Sequence, residues 1–112
     1  MVEIKTLGIR LLYNKQFMVL TQGKPNKVYF VIENTGRTKD FRVSVSTNHG
    51  NDIILKYQSV LKVSRERPKY LTVEFIVLPT ATPDKSVKVH VKAEGSAPGA
   101  RAQFHTELMI MS

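Results

Sequence analysis

The stretch Lys27-Val-Tyr-Phe-Val-Ile-Glu-Asn-Thr-Gly36 decides the fold, and it is followed closely by Phe41-Arg-Val-Ser-Val-Ser46. Apolar and polar residues alternate in both segments, which is the period of a β-strand that is buried on one face. The Asn-Thr-Gly sequence between the segments favours a turn, because these residue types readily adopt turn conformations. The two segments therefore predict a pair of β-strands joined by a turn.

Similar alternating runs recur along the rest of the chain, where Gly, Pro, Asn and Asp separate them. The first two runs are candidates for one broken edge strand with a kink at 13–15. No segment predicts a long helix, so the expected fold class is all-β, as an antiparallel immunoglobulin-like or fibronectin-like β-sandwich of about seven to eight strands. The predicted strands are 3–13, 17–21, 27–33, 40–47, 53–57, 69–78, 86–94 and 101–111.

The size and composition of the chain limit its organisation. A chain of 112 residues suits a single domain spanning 1–112, which can bury a core without a metal or a disulfide. There is no cysteine, so neither disulfides nor thiolate metal sites are available. No run reaches the roughly 20 consecutive apolar residues that a membrane-spanning helix needs. We expect the domain to have been excised from a longer chain.

Alternation also assigns the side chains that face the core. Burial of a large apolar side chain is worth roughly 1.5–3 kcal/mol, so the inward positions are expected to dominate the stability of the domain. The predicted inward residues are Phe41, Val43, Val45, Leu71, Val73, Phe75, Val77, Val87, Val89, Val91, Ala93, Ala102, Phe104, Leu108 and Ile110.

The chain is strongly basic, and several of its basic side chains fall on the outward positions of two predicted strands. There are 17 Lys and Arg residues against 9 Asp and Glu residues, which gives a formal net charge of +8. In an immunoglobulin-like sheet the two strands are neighbours, so their cations predict a continuous basic stripe that the preceding turn extends. The residues of this predicted site are Arg37, Lys39, Arg42, Lys88, His90 and Lys92.

The candidate partners of the stripe are anionic glycans, acidic lipid surfaces and acidic proteins, because a basic field concentrates anions. The alternative is a solvated face whose charge prevents edge pairing and keeps the domain soluble. A second basic cluster surrounds Pro68 and is expected to cap a connection between strands. Nucleic acid is not an expected partner, because stacking needs aromatic rings among the cations, and the tyrosines are scattered. The second cluster consists of Lys62, Arg65, Arg67 and Lys69.

The histidines and the isolated aspartates do not predict a chemical site. His90 and His105 occupy outward positions of strands that should be adjacent, with Glu107 on the same face, and this arrangement predicts a surface cross-strand pair rather than a metal site. Calcium needs roughly 6–8 oxygen ligands, and no catalytic nucleophile or base is recognisable. We therefore expect no metal, no cofactor and no enzymatic activity. The candidates that stand alone are Asp40, His49, Asp52 and Asp84.

The terminal strands are more apolar than the others. Leu108-Met-Ile-Met-Ser112 is apolar on both faces. Methionine adapts either to irregular core gaps or to partner surfaces, so two interpretations stay open for this strand. One is central packing, and the other is an exposed contact patch containing Met109 and Met111, which predicts self-association.

Four segments together resemble a known family, the immunoglobulin-like domains that accompany von Willebrand factor A domains in hemicentin-like extracellular proteins, and the likeness spans about residues 20–111. The chain departs from the pattern in its basicity and at Ser64-Arg-Glu-Arg-Pro68, where the family usually has a Pro-Gly turn. The resemblance implies a secreted, non-catalytic module, and it carries over no binding residues. The segments are Val28-Tyr-Phe-Val-Ile-Glu-Asn-Thr-Gly36, Phe41-Arg-Val-Ser-Val-Ser46, Leu71-Thr-Val-Glu-Phe-Ile-Val-Leu-Pro79 and Ser86-Val-Lys-Val-His-Val-Lys-Ala-Glu-Gly95.

These features predict a non-catalytic adhesion or spacer module with the basic face as its contact surface. Its expected location is extracellular or at the cell surface, as part of a larger protein, although a cysteine-free sandwich is also compatible with the cytoplasm. One alternative is a structural or assembly domain that self-associates through its apolar terminal strands. Another is an accessory sandwich of a polysaccharide-active enzyme, since such domains carry similar alternating runs.

Overall fold

A computed structural model describes residues 5–12, 19–37, 39–48, 50–82 and 86–111. Within these residues the chain forms β-strands and no helix, so the all-β prediction is confirmed. The kink predicted at 13–15 lies outside the described residues. The strands are β1 (Leu7–Leu11), β2 (Val19–Thr21), β3 (Pro25–Asn34), β4 (Asp40–Thr47), β5 (Ile53–Lys56), β6 (Val60–Lys62), β7 (Lys69–Val77), β8 (Ser86–Glu94) and β9 (Arg101–Met111).

The strands form two sheets, as expected for a β-sandwich. One sheet has four strands in the order β1-β3-β7-β5, and the other has five strands in the order β2-β9-β8-β4-β6. Neighbouring strands of the described residues are antiparallel, apart from β2 and β9, which run parallel. Because β4, β8 and β9 are consecutive in the five-stranded sheet, the predicted pairing of the basic strands is confirmed.

Two details of the predicted topology are wrong. β1 and β2 do not form one broken edge strand, because β1 pairs with β3 whereas β2 pairs with β9 in the other sheet. The estimate of seven to eight strands omits β6, which pairs with β4 at the edge of the five-stranded sheet. β6 is only 3 residues long, and so short a run does not show alternation that distinguishes a strand from a loop.

The core lies between the two sheets, where the inward positions of the long strands meet. Every inward residue predicted from alternation is buried except Phe104, which is half-buried. The ring of Phe104 packs edge-on against Phe30, with 6.0 Å between the ring centroids. Phe30, Phe41 and Phe75 are among the largest fully buried side chains. The predicted faces of the strands are therefore correct.

A buried asparagine fastens the end of β3 to the connection between β6 and β7. Asn34 is 3% exposed, and its side-chain Nδ2 donates a hydrogen bond to the carbonyl of Val63 at 2.9 Å. Its Oδ1 accepts a bond from the backbone N–H of Gly36 at 2.9 Å. The backbone N–H of Val63 donates in turn to the carbonyl of Lys39 at 2.8 Å. These bonds hold the β3–β4 connection in place at one end of the sandwich.

Candidate functional site

The predicted binding residues lie on the outward-facing surface of the five-stranded sheet, which we call the outer face. Because side chains on one face of a strand recur at every second residue, the register places the outward residues of β4, β8 and β9 in transverse rows. The structure therefore brings Arg42, Lys88, His90 and Lys92 to one surface. The rows are Arg42-Glu94-Arg101, Ser44-Lys92-Gln103, Ser46-His90-His105 and, between β8 and β9, Lys88-Glu107.

Carboxylates interrupt the cations of the outer face, so the prediction of a continuous basic stripe is wrong. Glu94 lies opposite Arg42, and its carboxylate is 3.8 Å from Nζ of Lys92. Glu107 lies opposite Lys88. Alternation already places Glu94 on the same face as Lys92, whereas the positions of Glu94 opposite Arg42 and of Glu107 opposite Lys88 depend on the register, which alternation does not give. The rows still carry more Lys and Arg than Glu, so the face keeps a positive net charge.

Arg37 and Lys39 lie in the connection between β3 and β4, and both are exposed. This connection leads into the end of β4 that pairs with the Glu94 end of β8. Both residues therefore lie at the end of the sandwich where β4 carries Arg42. They precede β4 and lie in none of the rows of the sheet, so they do not fill the gaps between its cations.

Open depressions lie on the outer face, and two of them are lined by residues of the predicted site. The first has a volume of about 510 Å³, and hydroxyl, amide, imidazole and charged groups line it. The second has a volume of about 520 Å³ and is lined by residues around Arg42 and Val60. Both offer hydrogen-bond donors and acceptors to a ligand that lies across the sheet. The lining of the first includes Ser46, Asn48, Lys88, His90, His105 and Glu107.

His90 and His105 form a stacked pair near the centre of the outer face, which confirms the predicted cross-strand pair. The two residues are directly opposite each other in the β8–β9 ladder. Their ring centroids are 4.2 Å apart, and the ring planes differ by 6°. Oε1 of Gln103 lies 3.0 Å from Nε2 of His90. In the part of the chain that the structure describes, no group of three or more His, Cys, Asp or Glu residues could hold a metal ion.

The other predicted features have separate locations. The second basic cluster lies on and beside the connection between β6 and β7, as predicted, and its four side chains are exposed. His49 and Asp84 lie outside the described residues. The described residues contain no helix that is long and apolar enough to cross a membrane.

The apolar residues of the C-terminal strand β9 include both core residues and exposed residues. Leu108 and Ile110 are buried, whereas Met109 and Met111 are 44% and 40% exposed on the outer face. The exposed aromatic residues of the opposite sheet are two of the tyrosines that the sequence analysis treated as scattered. Tyr29 is 37% exposed there and Tyr70 is 61% exposed. Their outward position follows from the period of two along β3 and β7.

Comparisons with known proteins establish the fold alone. No family model and no curated protein matches the chain. Among solved structures, it is similar to a FixG-related protein from Vibrio parahaemolyticus, with a TM-score of 0.69 and 8% identity over 96% of this chain and 98% of that chain. It is also similar to a family 123 glycoside hydrolase from Clostridium perfringens that was analysed for glycolipid glycan hydrolysis. That comparison has a TM-score of 0.66 and 9% identity, and it covers 95% of this chain but 27% of the hydrolase.

Proposed function

We propose that this chain is a non-catalytic β-sandwich module of a larger protein and that its outer face binds an anionic glycan. The observation that carries the proposal is the convergence of Arg42, Lys88 and Lys92 on one surface of a domain whose net charge is +8. A glycan-binding module would act at the cell surface or outside the cell, in agreement with the family resemblance of the sequence.

The spacing of the cations favours an extended polyanion over a single small anion. Lys88 and Lys92 are separated by four residues along β8, which corresponds to roughly 13 Å at the rise of a β-strand. Arg42 lies on the adjacent strand beyond Lys92, in the row of Glu94. No small anion reaches all three side chains at once, whereas a chain of charged sugars lying along β8 can. The serine and glutamine side chains between the cations can donate hydrogen bonds to sugar hydroxyls.

The structural comparison with the glycoside hydrolase supports this choice of ligand class. A sandwich of the same fold forms about a quarter of a protein that acts on glycans. This chain would have a comparable role as an accessory domain, which holds the substrate while another domain of the parent protein performs any chemistry. The proposal assigns no catalytic residue to the chain itself.

The test is binding of the purified domain to heparin and to an uncharged dextran over a range of salt concentrations. Heparin should bind at low ionic strength and dissociate as salt is added. The Debye length is about 10 Å at 0.1 M salt and shortens at higher salt, so the attraction between exposed charges weakens. Dextran should not bind. Equal binding to both polymers, or no binding to heparin at low salt, would contradict the proposal.

A second candidate function, self-association, is favoured by the exposure of Met109 and Met111. Both methionines lie on the outer face of β9. β9 pairs there with the edge strand β2, where Met111 is opposite Thr21. Sedimentation at rising protein concentration separates the two functions. An assembly domain should form dimers or larger species that are lost when both methionines are changed to Ser. A monomer at all concentrations would contradict assembly and leave the glycan proposal intact.

A further inference from the structure

The proposed function leaves unused a group of cations on and beside two connections at one end of the sandwich. We propose that these cations dock the module on a membrane surface that contains anionic lipid. This inference is independent of the proposed function, because it uses different residues and is tested with no glycan present. The cations form what we call the end surface, and they are Arg37, Lys39, Lys62, Arg65 and Arg67.

Hydrogen bonds between the two connections bring these cations to the same end. The backbone N–H of Val63, which begins the β6–β7 connection, donates to the carbonyl of Lys39 at 2.8 Å. The N–H of Glu66 donates to the carbonyl of Asn34, the last residue of β3, at 3.1 Å. The β3–β4 connection is therefore joined to the β6–β7 connection, and its cations belong with the second basic cluster rather than with the rows of the outer face.

The cations of the end surface are available to a ligand. All of them are exposed, and none forms an ion pair with another described residue. The carboxylates nearest to them along the chain belong to Asp40 and Glu66, so positive charge predominates. At the opposite end of the sandwich, the described residues of the β2–β3, β4–β5 and β7–β8 connections carry one cation and one acid, Lys24 and Asp52. The positive charge of the connections is thus concentrated at one end.

The β6–β7 connection is held in a fixed conformation that presents its two arginines. Glu66, between them, has a φ of 64°, in the left-handed region that residues with a side chain rarely adopt. Besides the bond from the Glu66 N–H, the side-chain Nδ2 of Asn34 donates to the carbonyl of Val63 at 2.9 Å. These bonds impose the conformation before a ligand arrives, which lowers the entropy cost of binding.

A flat anionic surface is the partner that this arrangement fits. The cations lie on two connections and at the end of a short strand, so they do not form a linear track for an extended polymer. A depression of about 150 Å³ at this end has Glu33 and Glu66 in its lining, which makes it unsuitable for a single small anion. A membrane needs no pocket, because each cation near an anionic leaflet adds to the affinity. Tyr70, which follows the β6–β7 connection and is 61% exposed, has the amphipathic ring that suits a membrane interface.

The test is cosedimentation of the whole chain with vesicles of phosphatidylcholine alone and with vesicles of phosphatidylcholine and phosphatidylglycerol in equal parts. The chain should bind the mixed vesicles at low salt and should not bind the uncharged vesicles. Changing Arg37, Arg65 and Arg67 together to Gln should weaken binding on the order of 100-fold, since each cation contributes about fivefold. A control with the same net charge should keep most of the affinity, and melting curves establish folding. The control carries Lys24→Gln, Lys27→Gln and Lys56→Gln, at exposed positions away from the end surface.

A single substitution tests the same surface by a gain of binding. Glu66→Gln removes a carboxylate from the β6–β7 connection and should raise the affinity for mixed vesicles about fivefold. A misfolded variant would not produce this gain. An unchanged or lower affinity in folded Glu66→Gln would count against the end surface.

Three further results would overturn the inference. Equal losses in the two triple variants would mean that net charge alone draws the chain to the vesicles. Equal binding to charged and uncharged vesicles would exclude attraction to anionic lipid. Binding to poly-L-glutamate without binding to mixed vesicles would assign the end surface to an acidic protein instead.

Discussion

Arg42 lies directly opposite Glu94 in the ladder between β4 and β8. The same carboxylate is 3.8 Å from Nζ of Lys92, so one acidic residue faces two of the three cations on which the proposed function depends. Exposed ion pairs of this kind contribute only about 0–1 kcal/mol to stability. Glu94 should affect the binding of an anionic ligand more than it affects the stability of the fold, because it repels the ligand that Arg42 and Lys92 attract.

Removal of this carboxylate should strengthen glycan binding. Glu94→Gln is expected to raise the affinity for heparin by about fivefold, since one charge contact near a surface is worth on the order of 1 kcal/mol. The measurement is the dissociation constant for heparin at low salt. Glu33→Gln is the matched control, because Glu33 is also exposed and paired, with Arg10 at 2.8 Å, on the other sheet. An equal gain in both variants would mean that net charge alone sets the affinity.

Truncation of a core aromatic side chain should destabilise the fold strongly. Phe75 is 0% exposed, and Phe75→Ala is expected to lower the free energy of unfolding by about 3–5 kcal/mol, because it loses burial and leaves a cavity. Urea denaturation measures the change. Tyr70→Ala on the same strand is the control, since Tyr70 is 61% exposed. A smaller loss for Phe75→Ala than for Tyr70→Ala would contradict the assignment of faces on β7.

Loss of the buried asparagine side chain should also destabilise the fold. Asn34→Ala removes the partner of the Val63 carbonyl and of the Gly36 N–H. Unpaired buried polar groups cost about 1–3 kcal/mol, and the free energy of unfolding should fall by that amount in urea denaturation. Thr72→Ala, at an exposed position of β7, should change it far less. Equal effects of the two substitutions would show that the hydrogen bonds of Asn34 contribute nothing.

Two glycines should differ sharply in their tolerance of a methyl group. A Cβ atom at Gly36 would lie 2.8 Å from Oγ1 and 2.9 Å from Cβ of Thr6. At Gly8, a Cβ atom would have no described atom within 4 Å apart from those of Gly8 itself and its two neighbours along the chain. Gly36→Ala should therefore destabilise the protein by about 1–3 kcal/mol through overpacking. Gly8→Ala should be neutral or stabilising by up to about 1 kcal/mol. Thermal or urea denaturation compares them, and Thr6→Gly should partly rescue Gly36→Ala. Similar losses for both alanines would contradict the close approach of Thr6.

The strand pattern was predictable because burial on one face imposes a period of two on the sequence. β4, β8 and β9 begin and end where alternation predicted, and their inward residues form the core. The pairing of β1 and β2 with different sheets was not predictable, because alternation assigns faces but does not identify neighbours. β6 was missed because its three residues contain a single buried position, Leu61.

The candidate site was predictable in its members but not in its detail. Alternation along β4 and β8 correctly placed Arg42, Lys88, His90 and Lys92 on one face. The strand order of an immunoglobulin-like sheet also predicted the pairing of His90 with His105. The positions of Glu94 opposite Arg42 and of Glu107 opposite Lys88 depend on register, which comes from turn geometry and packing. The hydrogen bonds that buried Asn34 makes to Val63 and Gly36 were not predictable either. An asparagine before a glycine looks the same in the sequence whether it forms an exposed turn or a buried hydrogen-bonding residue.

The most direct test of the glycan proposal compares two triple variants that have the same net charge. Arg42→Gln, Lys88→Gln and Lys92→Gln together lower the net charge by three units from +8, as do Lys24→Gln, Lys56→Gln and Lys69→Gln, which lie at exposed positions outside the outer face. The measurement is the dissociation constant for heparin over a range of salt concentrations, with melting curves to establish folding. The outer-face variant should lose most of its affinity and salt dependence, while the control keeps both. Equal losses in the two variants, or none in the outer-face variant, would contradict a specific glycan-binding surface.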